Sequence, residues 1–244
     1  MAERQRRLPC SELPERGGEV TLDAGASRHA KVLRLQPNDA VTLIDGLGHE
    51  ASAEVLALDR AGVRCVAQPP RRLPRPEPAL SCVLGLPKGA KLEGVVRMYA
   101  ELGVSALHLA QCARSVPRPA DHGARMERLR RVALEACLQS GQPWAPQLQG
   151  LAPLPQVAAR APAEARKLVF WERAERPLDQ ALSPDAGEVW AVIGPEGGLE
   201  EEEVRALEAR DFQCVGLGAG ILRVETASVV AATLLLDRLG RLRT

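Results

Sequence analysis

The chain has 244 residues, of which 45% are hydrophobic and 26% are charged, and its formal net charge is +1. This composition is typical of a globular protein and excludes a disordered, collagen-like or coiled-coil chain. The length is enough to bury a core, as one large domain or as a small domain plus a medium one. No stretch approaches the roughly 20 apolar residues that a membrane helix needs, so we expect no membrane partner.

The cysteines and the first residues indicate where the protein works. The start of the chain, MAERQRRLPCSELPE, lacks an apolar segment and does not predict a secretory signal. The six cysteines are scattered singly, with no CxxC pair, so we expect free thiols and a cytoplasmic location. Because cysteine and histidine never approach ligand spacing, we expect no metal site.

Short alternating hydrophobic runs in the first third of the chain are typical of a small antiparallel β-barrel. A short helix interrupts them at 27–35, and Ser27 is its candidate N-cap. The run PPRRLPRPEP at 69–78 cannot continue a helix or a central strand, so it predicts a boundary between domains 1–72 and 73–244. Strands are predicted at 19–22, 40–45, 51–58 and 62–68.

Strands alternate with helices after this boundary, which predicts a mostly parallel sheet covered on both faces. The last helix is apolar almost all round, so we expect it to be buried. Strands are predicted at 79–86, 104–111, 166–172, 188–194 and 213–218. Helices are predicted at 91–103, 122–140, 201–210 and 226–240.

Two glycine-containing loops follow predicted strands, at the ends where open α/β sheets bind ligands. AVIGPEGGLEEEE spans 191–203, and its paired glycines allow close backbone approach. GLGAGILRVETAS spans 216–228, and its alternating glycines only superficially match a dinucleotide fingerprint, since a single helix follows. The alternative for both loops is an ordinary strand-to-helix turn, with Thr226 or Ser228 capping the second helix.

Basic residues near the start of the chain form a third candidate site. They would share one face if the helix at 27–35 lies beside an N-terminal strand, and a basic face suits a nucleic acid. A solvated surface is the alternative for each of them. The residues are Arg4, Arg6, Arg7, Arg28, Lys31 and Arg34.

The two loops also carry a resemblance. IGPEGGLEEEEV at 193–204 and LGAGILRVETA at 217–227 resemble the two signature loops of SPOUT methyltransferases. The closer resemblance is to the bacterial 16S ribosomal RNA (uracil-N3)-methyltransferase family. Supporting stretches are RHAKVLRLQPND (28–39), KGAKLEGVVRMYAELGV (88–104), ARSV (113–116) and ALEACLQSGQPWAPQL (133–148).

The resemblance implies an α/β fold with a PUA-like β-barrel RNA-binding domain, followed by a methyltransferase domain with a C-terminal trefoil knot. It implies a homodimer through the knot domain and 16S ribosomal RNA of the small subunit as substrate. S-adenosylmethionine would be the cofactor, held largely by backbone groups. The implied cofactor-binding residues are Ile193, Gly194, Pro195, Glu196, Gly197, Gly198, Leu217, Gly218, Ile221 and Leu222. Trp171, at the end of a predicted strand, is a further candidate for the wall of the cofactor pocket, and the alternative for it is a core residue.

The implied chemistry is methyl transfer to N3 of a uridine, which must lose a proton to react. Arg223 is the candidate cation that favours the anion, and Glu225 and Thr226 are candidates for positioning or proton removal. The predicted RNA-binding residues are Arg7, Arg28, His29, Arg34, Lys88, Lys91 and Arg114.

The chain departs from the family pattern at five positions. Three of the changes remove a positive charge near the expected RNA cleft, which weakens phosphate binding. Two alternatives therefore stay open: a methyltransferase of another RNA site, or an RNA-binding or ribosome-assembly protein that has lost catalysis. The five residues are Met98, Leu138, Gln142, Gly220 and Val224.

Overall fold

The structure is a computed structural model that describes residues 6–59, 62–115, 122–183, 185–218 and 220–242. The chain divides into two compact units. The first comprises Met1–Arg75 and Leu134–Ala145, and the second comprises Pro76–Ala133 and Pro146–Thr244. The division falls within the proline-rich run at 69–78, and the first unit also takes in a segment from later in the chain. Arg4 lies outside the described residues.

The described part of the first unit is a six-stranded sheet with helix α1 and the C-terminal part of a later helix. Its strands pair in the order β1-β3-β4-β5-β2, with β6 on β4, and every pair is antiparallel except the parallel pair β1 and β3. Alternate residues of β4 and β5 point into a core of small and branched apolar side chains. The elements are β1 (Arg7–Pro9), β2 (Gly18–Leu22), α1 (Ala24–Val32), β3 (Ala40–Ile44), β4 (His49–Leu58), β5 (Val63–Ala67) and β6 (Arg71–Arg72).

Helix α1 begins three residues before the predicted start, so the prediction of Ser27 as its cap was wrong. Asp23 is the N-cap, and its Oδ1 accepts a hydrogen bond from the Ala26 N–H at 2.8 Å. Ser27 instead donates from its hydroxyl to the Asp23 carbonyl at 2.9 Å. The helix ends before Arg34, whose φ of 54° is incompatible with continuation.

The later segment of the first unit is held by a close fit at Gly48. A Cβ there would lie 2.2 Å from the Trp144 ring, so only glycine leaves room for the indole. The Gly48 N–H donates to the Pro143 carbonyl at 3.0 Å, and the Ala145 N–H donates to the Gly46 carbonyl at 2.8 Å. These backbone bonds make Leu134–Ala145 part of the first unit.

The second unit is a six-stranded parallel sheet in the order β12-β10-β11-β7-β8-β9. β7 and β11 are buried along their whole length, as expected for central strands covered on both faces. The strands are β7 (Leu80–Gly85), β8 (Ala106–Gln111), β9 (Gln147–Pro153), β10 (Arg166–Phe170), β11 (Val189–Ile193) and β12 (Gln213–Val215).

The helices of the second unit follow the predicted alternation, with two short additions. α4 and α5 were not predicted, and neither was β9 among the strands. Strand order alone does not define how a chain threads, so the trefoil knot stays a prediction. The helices are α2 (Lys91–Leu102), α3 (His122–Ser140, which enters the first unit at Leu134), α4 (Leu154–Ala158), α5 (Leu178–Ala181), α6 (Glu201–Glu208) and α7 (Val224–Arg238).

Helix α7 begins at Val224, and Arg223 is its N-cap without a side-chain capping bond. The proposed caps at Thr226 and Ser228 were therefore wrong. Ser228 donates to the Val224 carbonyl from inside the helix. We expected α7 to be buried: one face of it is, whereas Leu234 keeps 43% of its surface exposed. None of the described helices combines the length and apolarity required to cross a bilayer.

Candidate active site

A cavity of about 480 Å³ opens in the second unit, beyond the carboxyl ends of β10, β11 and β12. Two loops form most of its wall, and α2 contributes Lys91. All eleven predicted cofactor-binding residues line it, so the structure brings both signature loops to one place. The lining residues that were not in that set are Lys91, Phe170, Glu172, Leu199, Gly220, Arg223, Val224 and Ala227.

The loop at 193–199, which we call the first loop, fits closely against its surroundings. A Cβ on Gly85, at the end of β7, would lie 2.5 Å from Pro195. A Cβ on Gly197 would lie 2.8 Å from the Arg114 Cβ. Gly198 has a φ of +72°, which side chains rarely adopt, so glycine is required there for the backbone. The first loop is therefore closely packed at Pro195 and Gly197, and its backbone at Gly198 requires glycine.

Glu196 ties the first loop to the start of α2. Its carboxylate accepts hydrogen bonds from the Lys88 backbone N–H and from the Lys91 ammonium, both at 3.0 Å. Burial alone would raise the pKa of Glu196, but the bonds from Lys91 and from backbone N–H groups outweigh it and lower the pKa. The hydrogen bond to Glu196 in turn raises the pKa of Lys91.

Lys91 also faces the start of α7. Its Nζ lies 3.6 Å from Glu225 Oε2, so one ammonium bridges two carboxylates. That Glu225 oxygen is buried and accepts no hydrogen bond from any residue in the described ranges. Lys91 was predicted as an RNA contact, which stays a prediction, and its charge is engaged with Glu196 and Glu225 at the cavity.

Arg114, another predicted RNA contact, supports the first loop. Its guanidinium donates to the Gly197 carbonyl at 2.9 Å and lies 3.6 Å from a Glu200 carboxylate oxygen. The neighbouring Ala113 N–H donates to Glu203 at 2.9 Å. Ala113 and Arg114 therefore pack against the loop and the first turn of α6. Lys88, the third predicted RNA contact of this unit, has an exposed side chain.

The second loop, at 217–223, is far more exposed. Ile221 keeps 90% of its surface exposed, and Gly218 and Gly220 meet nothing that a Cβ would touch. Arg223 ends the loop and lines the cavity, and it makes no ion pair with the described part of the chain. Of the three predicted catalytic residues, only Arg223 lines the cavity. Glu225 does not line it but is paired with the lining residue Lys91, and Thr226 is exposed on α7.

The predicted RNA-binding residues of the first unit lie on and beside α1, which contacts β1. Arg28 and Arg34 are exposed and His29 is half-buried. The Arg7 guanidinium lies against the Gly141 turn, 2.9 Å from where a Cβ on that glycine would be. Arg6, from the wider basic face, is paired with Asp39 at 2.6 Å, so part of the expected positive charge is neutralised.

The five departures from the family pattern differ in exposure. Leu138 and Val224 are buried, and Val224 and the exposed Gly220 both line the cavity. Met98 and Gln142 are half-buried. Phe170, Leu199 and Val224 each adjoin a predicted site residue along the chain, and that adjacency is the signal that could have indicated them.

Comparison with known proteins identifies the family. A model described as an RNA methyltransferase domain matches residues 75–236, and one described as an RNA methyltransferase PUA domain matches residues 22–67. The ribosomal RNA small subunit methyltransferase E of Mycobacterium bovis is 31% identical over 228 residues, which cover 90% of this chain and 86% of that protein. The chain belongs to the small-subunit ribosomal RNA methyltransferase E family.

Other members of the methyltransferase E family support the same relation. The Bacillus subtilis member is 32% identical over 213 residues, covering 82% of each chain. The crystal structure of the Neisseria gonorrhoeae member, bound to S-adenosylmethionine, matches with a TM-score of 0.87 at 26% identity, over 96% of this chain and 97% of that one. The predicted family and the predicted fold class, a PUA domain before an α/β methyltransferase domain, are confirmed.

Proposed function

We propose that the protein transfers a methyl group from S-adenosylmethionine to N3 of a uridine in 16S ribosomal RNA of the small subunit. The observation that carries this proposal is the single cavity formed by both signature loops, with Arg223 at its edge. The family relation supports the reaction class, and the Neisseria member's crystal structure supports the cofactor.

The residues of the cavity fit S-adenosylmethionine. Its volume lies within the roughly 300 to 1,000 Å³ of small-molecule sites. The Trp171 indole N–H is buried and has no hydrogen-bond partner in the described chain, which leaves one donor for a ligand. Apolar walls suit an adenine ring, and the exposed carboxylate of Glu172 suits a cationic ligand. The apolar lining residues are Phe170, Ile193, Leu199, Leu217, Ile221, Leu222 and Val224.

The bound cofactor would supply a methyl group already activated as part of a sulfonium, so the chain's own residues mainly position and polarise. Arg223 places a positive charge beside the cavity and would favour a uridine that has lost its N3 proton. Glu225 offers a buried carboxylate oxygen that accepts no hydrogen bond from the described residues, and Lys91 holds it in place. Glu225 is therefore suited to accept a hydrogen bond that orients the reacting groups.

We also propose a homodimer through the methyltransferase domain and a cytoplasmic location. Helix α7 and the second loop leave Leu222, Leu234 and Ile221 exposed, which a second copy would cover. The six cysteines are free, as suits a reducing compartment. Among the described residues, no group of three or more histidine, cysteine and carboxylate side chains is arranged to hold a metal ion.

The proposed function is tested by methyl transfer to unmodified small ribosomal subunits. Purified protein and radiolabelled S-adenosylmethionine should label 16S ribosomal RNA, and the modified position should read as an N3-methyluridine by mass spectrometry of nucleosides. Labelling at a different nucleoside would instead support a methyltransferase of another RNA site. Cofactor binding without any labelling of RNA would support the alternative of an RNA-binding protein that has lost catalysis.

A further inference from the structure

The first unit carries two arginines on one indole ring. The Arg72 Cζ lies 5.9 Å from the Trp144 ring centroid, and the Arg75 Cζ lies 5.2 Å from it. Both distances are within the range of cation–π contacts. Both arginines are exposed, and neither guanidinium makes an ion pair or hydrogen bond within the part of the chain that the structure describes.

The ring itself is fixed in place. It fills the space left by the absent side chain of Gly48, and its Nε1–H donates to the Pro74 carbonyl at 3.0 Å. The backbone of Trp144 pairs with Leu47 in an antiparallel bridge. Because the indole cannot shift, the two guanidiniums that stack on it are presented at a fixed place on the surface.

Among the described residues of this surface, Arg72 and Arg75 carry positive charges that no carboxylate neutralises. The adjacent Arg71 is paired with Glu50, which neutralises it. Arg72 and Arg75 carry like charges held on one ring, and like charges at close range repel. A bound anion would relieve that repulsion. Leu47, which pairs with Trp144 in the bridge, keeps 63% of its surface exposed and offers an apolar contact.

We propose that this surface, the Trp144 patch formed by Leu47, Arg72, Arg75 and Trp144, binds single-stranded RNA. Stacked guanidiniums keep their N–H edges free for phosphate oxygens, and aromatic and apolar side chains contact bases without sequence preference. The inference rests on the proposed RNA substrate. It adds a second contact surface to the first unit, on residues separate from those of α1 and β1.

The test measures the binding of the full-length protein to a fluorescent 12-nucleotide oligouridine by anisotropy, at several salt concentrations. R72A/R75A should lower the slope of log K against log salt by about 1.4 and weaken binding about 20-fold at 100 mM salt, because each phosphate contact on a single strand contributes about 0.7. The matched control R16A/R64A removes two exposed arginines of the same unit, and it should leave the slope unchanged.

Three results would overturn the proposal. One is a wild-type slope for R72A/R75A, and another is an equal loss in R16A/R64A, which would mean that net charge alone matters. The third is equally tight, arginine-dependent binding of poly-L-glutamate, which would mark a general anion surface. W144F keeps the stacking and should bind like wild type, whereas W144L should lose affinity while its circular dichroism stays native.

The same protein preparations separate this inference from the proposed function. Cofactor binding by calorimetry and methyl transfer to small subunits are measured on the wild type. A wild type that binds the cofactor but never labels RNA would refute the proposed reaction, while the oligouridine measurement would still decide the Trp144 patch.

Discussion

The two loops that form the cavity are built in opposite ways. The first loop is closely packed, since Gly85 and Gly197 leave no room for a Cβ against Pro195 and Arg114, and Glu196 is bonded to Lys88 and Lys91. The second loop is exposed, and its glycines Gly218 and Gly220 meet no neighbouring atom within 4 Å of an added Cβ. The first loop is held by contacts with the rest of the fold, whereas the side chains of the second loop are exposed to solvent.

This difference suggests a division of labour. A packed loop provides a pre-formed surface, so changes there should act on cofactor affinity. The second loop ends at Arg223, whose charge is unpaired within the described residues, so a change there should act on the reaction step. Lys91 joins the two regions through Glu196 and Glu225 and should affect both.

The largest effect is expected at Arg223. Arg223→Gln should lower the rate constant for methyl transfer by about 100-fold or more with little change in cofactor affinity, since removing one group that stabilises developing negative charge costs about that much. The measurement is single-turnover methyl transfer to small subunits beside calorimetry of cofactor binding. Arg238→Gln, at the far end of α7, is the control. A variant that loses affinity but keeps its rate would place Arg223 in cofactor binding instead.

A side chain at Gly197 should mainly affect binding. Gly197→Arg should weaken cofactor binding about 100-fold, because overpacking a close-fitted position costs up to about 3 kcal/mol and 1.4 kcal/mol is tenfold in affinity. Gly187→Arg is the matched control, since a Cβ at that glycine meets no neighbour. Calorimetry checks the result. Tight binding by Gly197→Arg would mean that the first loop does not hold the cofactor.

Lys91 tests the link between the two loops. Lys91→Met should weaken cofactor binding about 5-fold and slow methyl transfer by a similar factor, because partly exposed ion pairs contribute at most about 1 kcal/mol. Lys88→Met is the control, since Lys88 bonds Glu196 through its backbone N–H and keeps that bond. If Lys91→Met changed only RNA affinity, the sequence-based assignment of Lys91 to RNA would be preferred.

Local sequence patterns predicted the parts of this architecture that depend on local chemistry. Strand–helix alternation located β7, β10 and β11, and the two signature loops indicated the cavity, because each loop directly follows its strand. The same patterns missed β9, which ends at Pro153 and includes few buried residues. They also placed the start of α1 too late, because the capping carboxylate of Asp23 precedes the hydrophobic run.

Contacts between distant segments were beyond local patterns. Nothing in the sequence around Lys91 indicates that its ammonium meets Glu196 and Glu225, more than 100 residues later. Nor does the sequence show that Leu134–Ala145 joins the first unit, since that depends on the fit of Trp144 against Gly48. Both features arise from tertiary packing between segments that are distant in sequence. At Gly48, for example, the missing side chain leaves the space that the Trp144 ring occupies.

The smallest effect is expected within the second loop. Gly220→Ala should change cofactor affinity by no more than about twofold, because an added Cβ has open space and alanine only restricts the unfolded chain. Gly218→Ala is the contrasting variant, since its φ of +101° would cost alanine about 1 kcal/mol and weaken binding about 5-fold. Calorimetry of both variants gives the comparison. A tenfold loss in Gly220→Ala would mean that the second loop is fitted as closely around its ligand as the first.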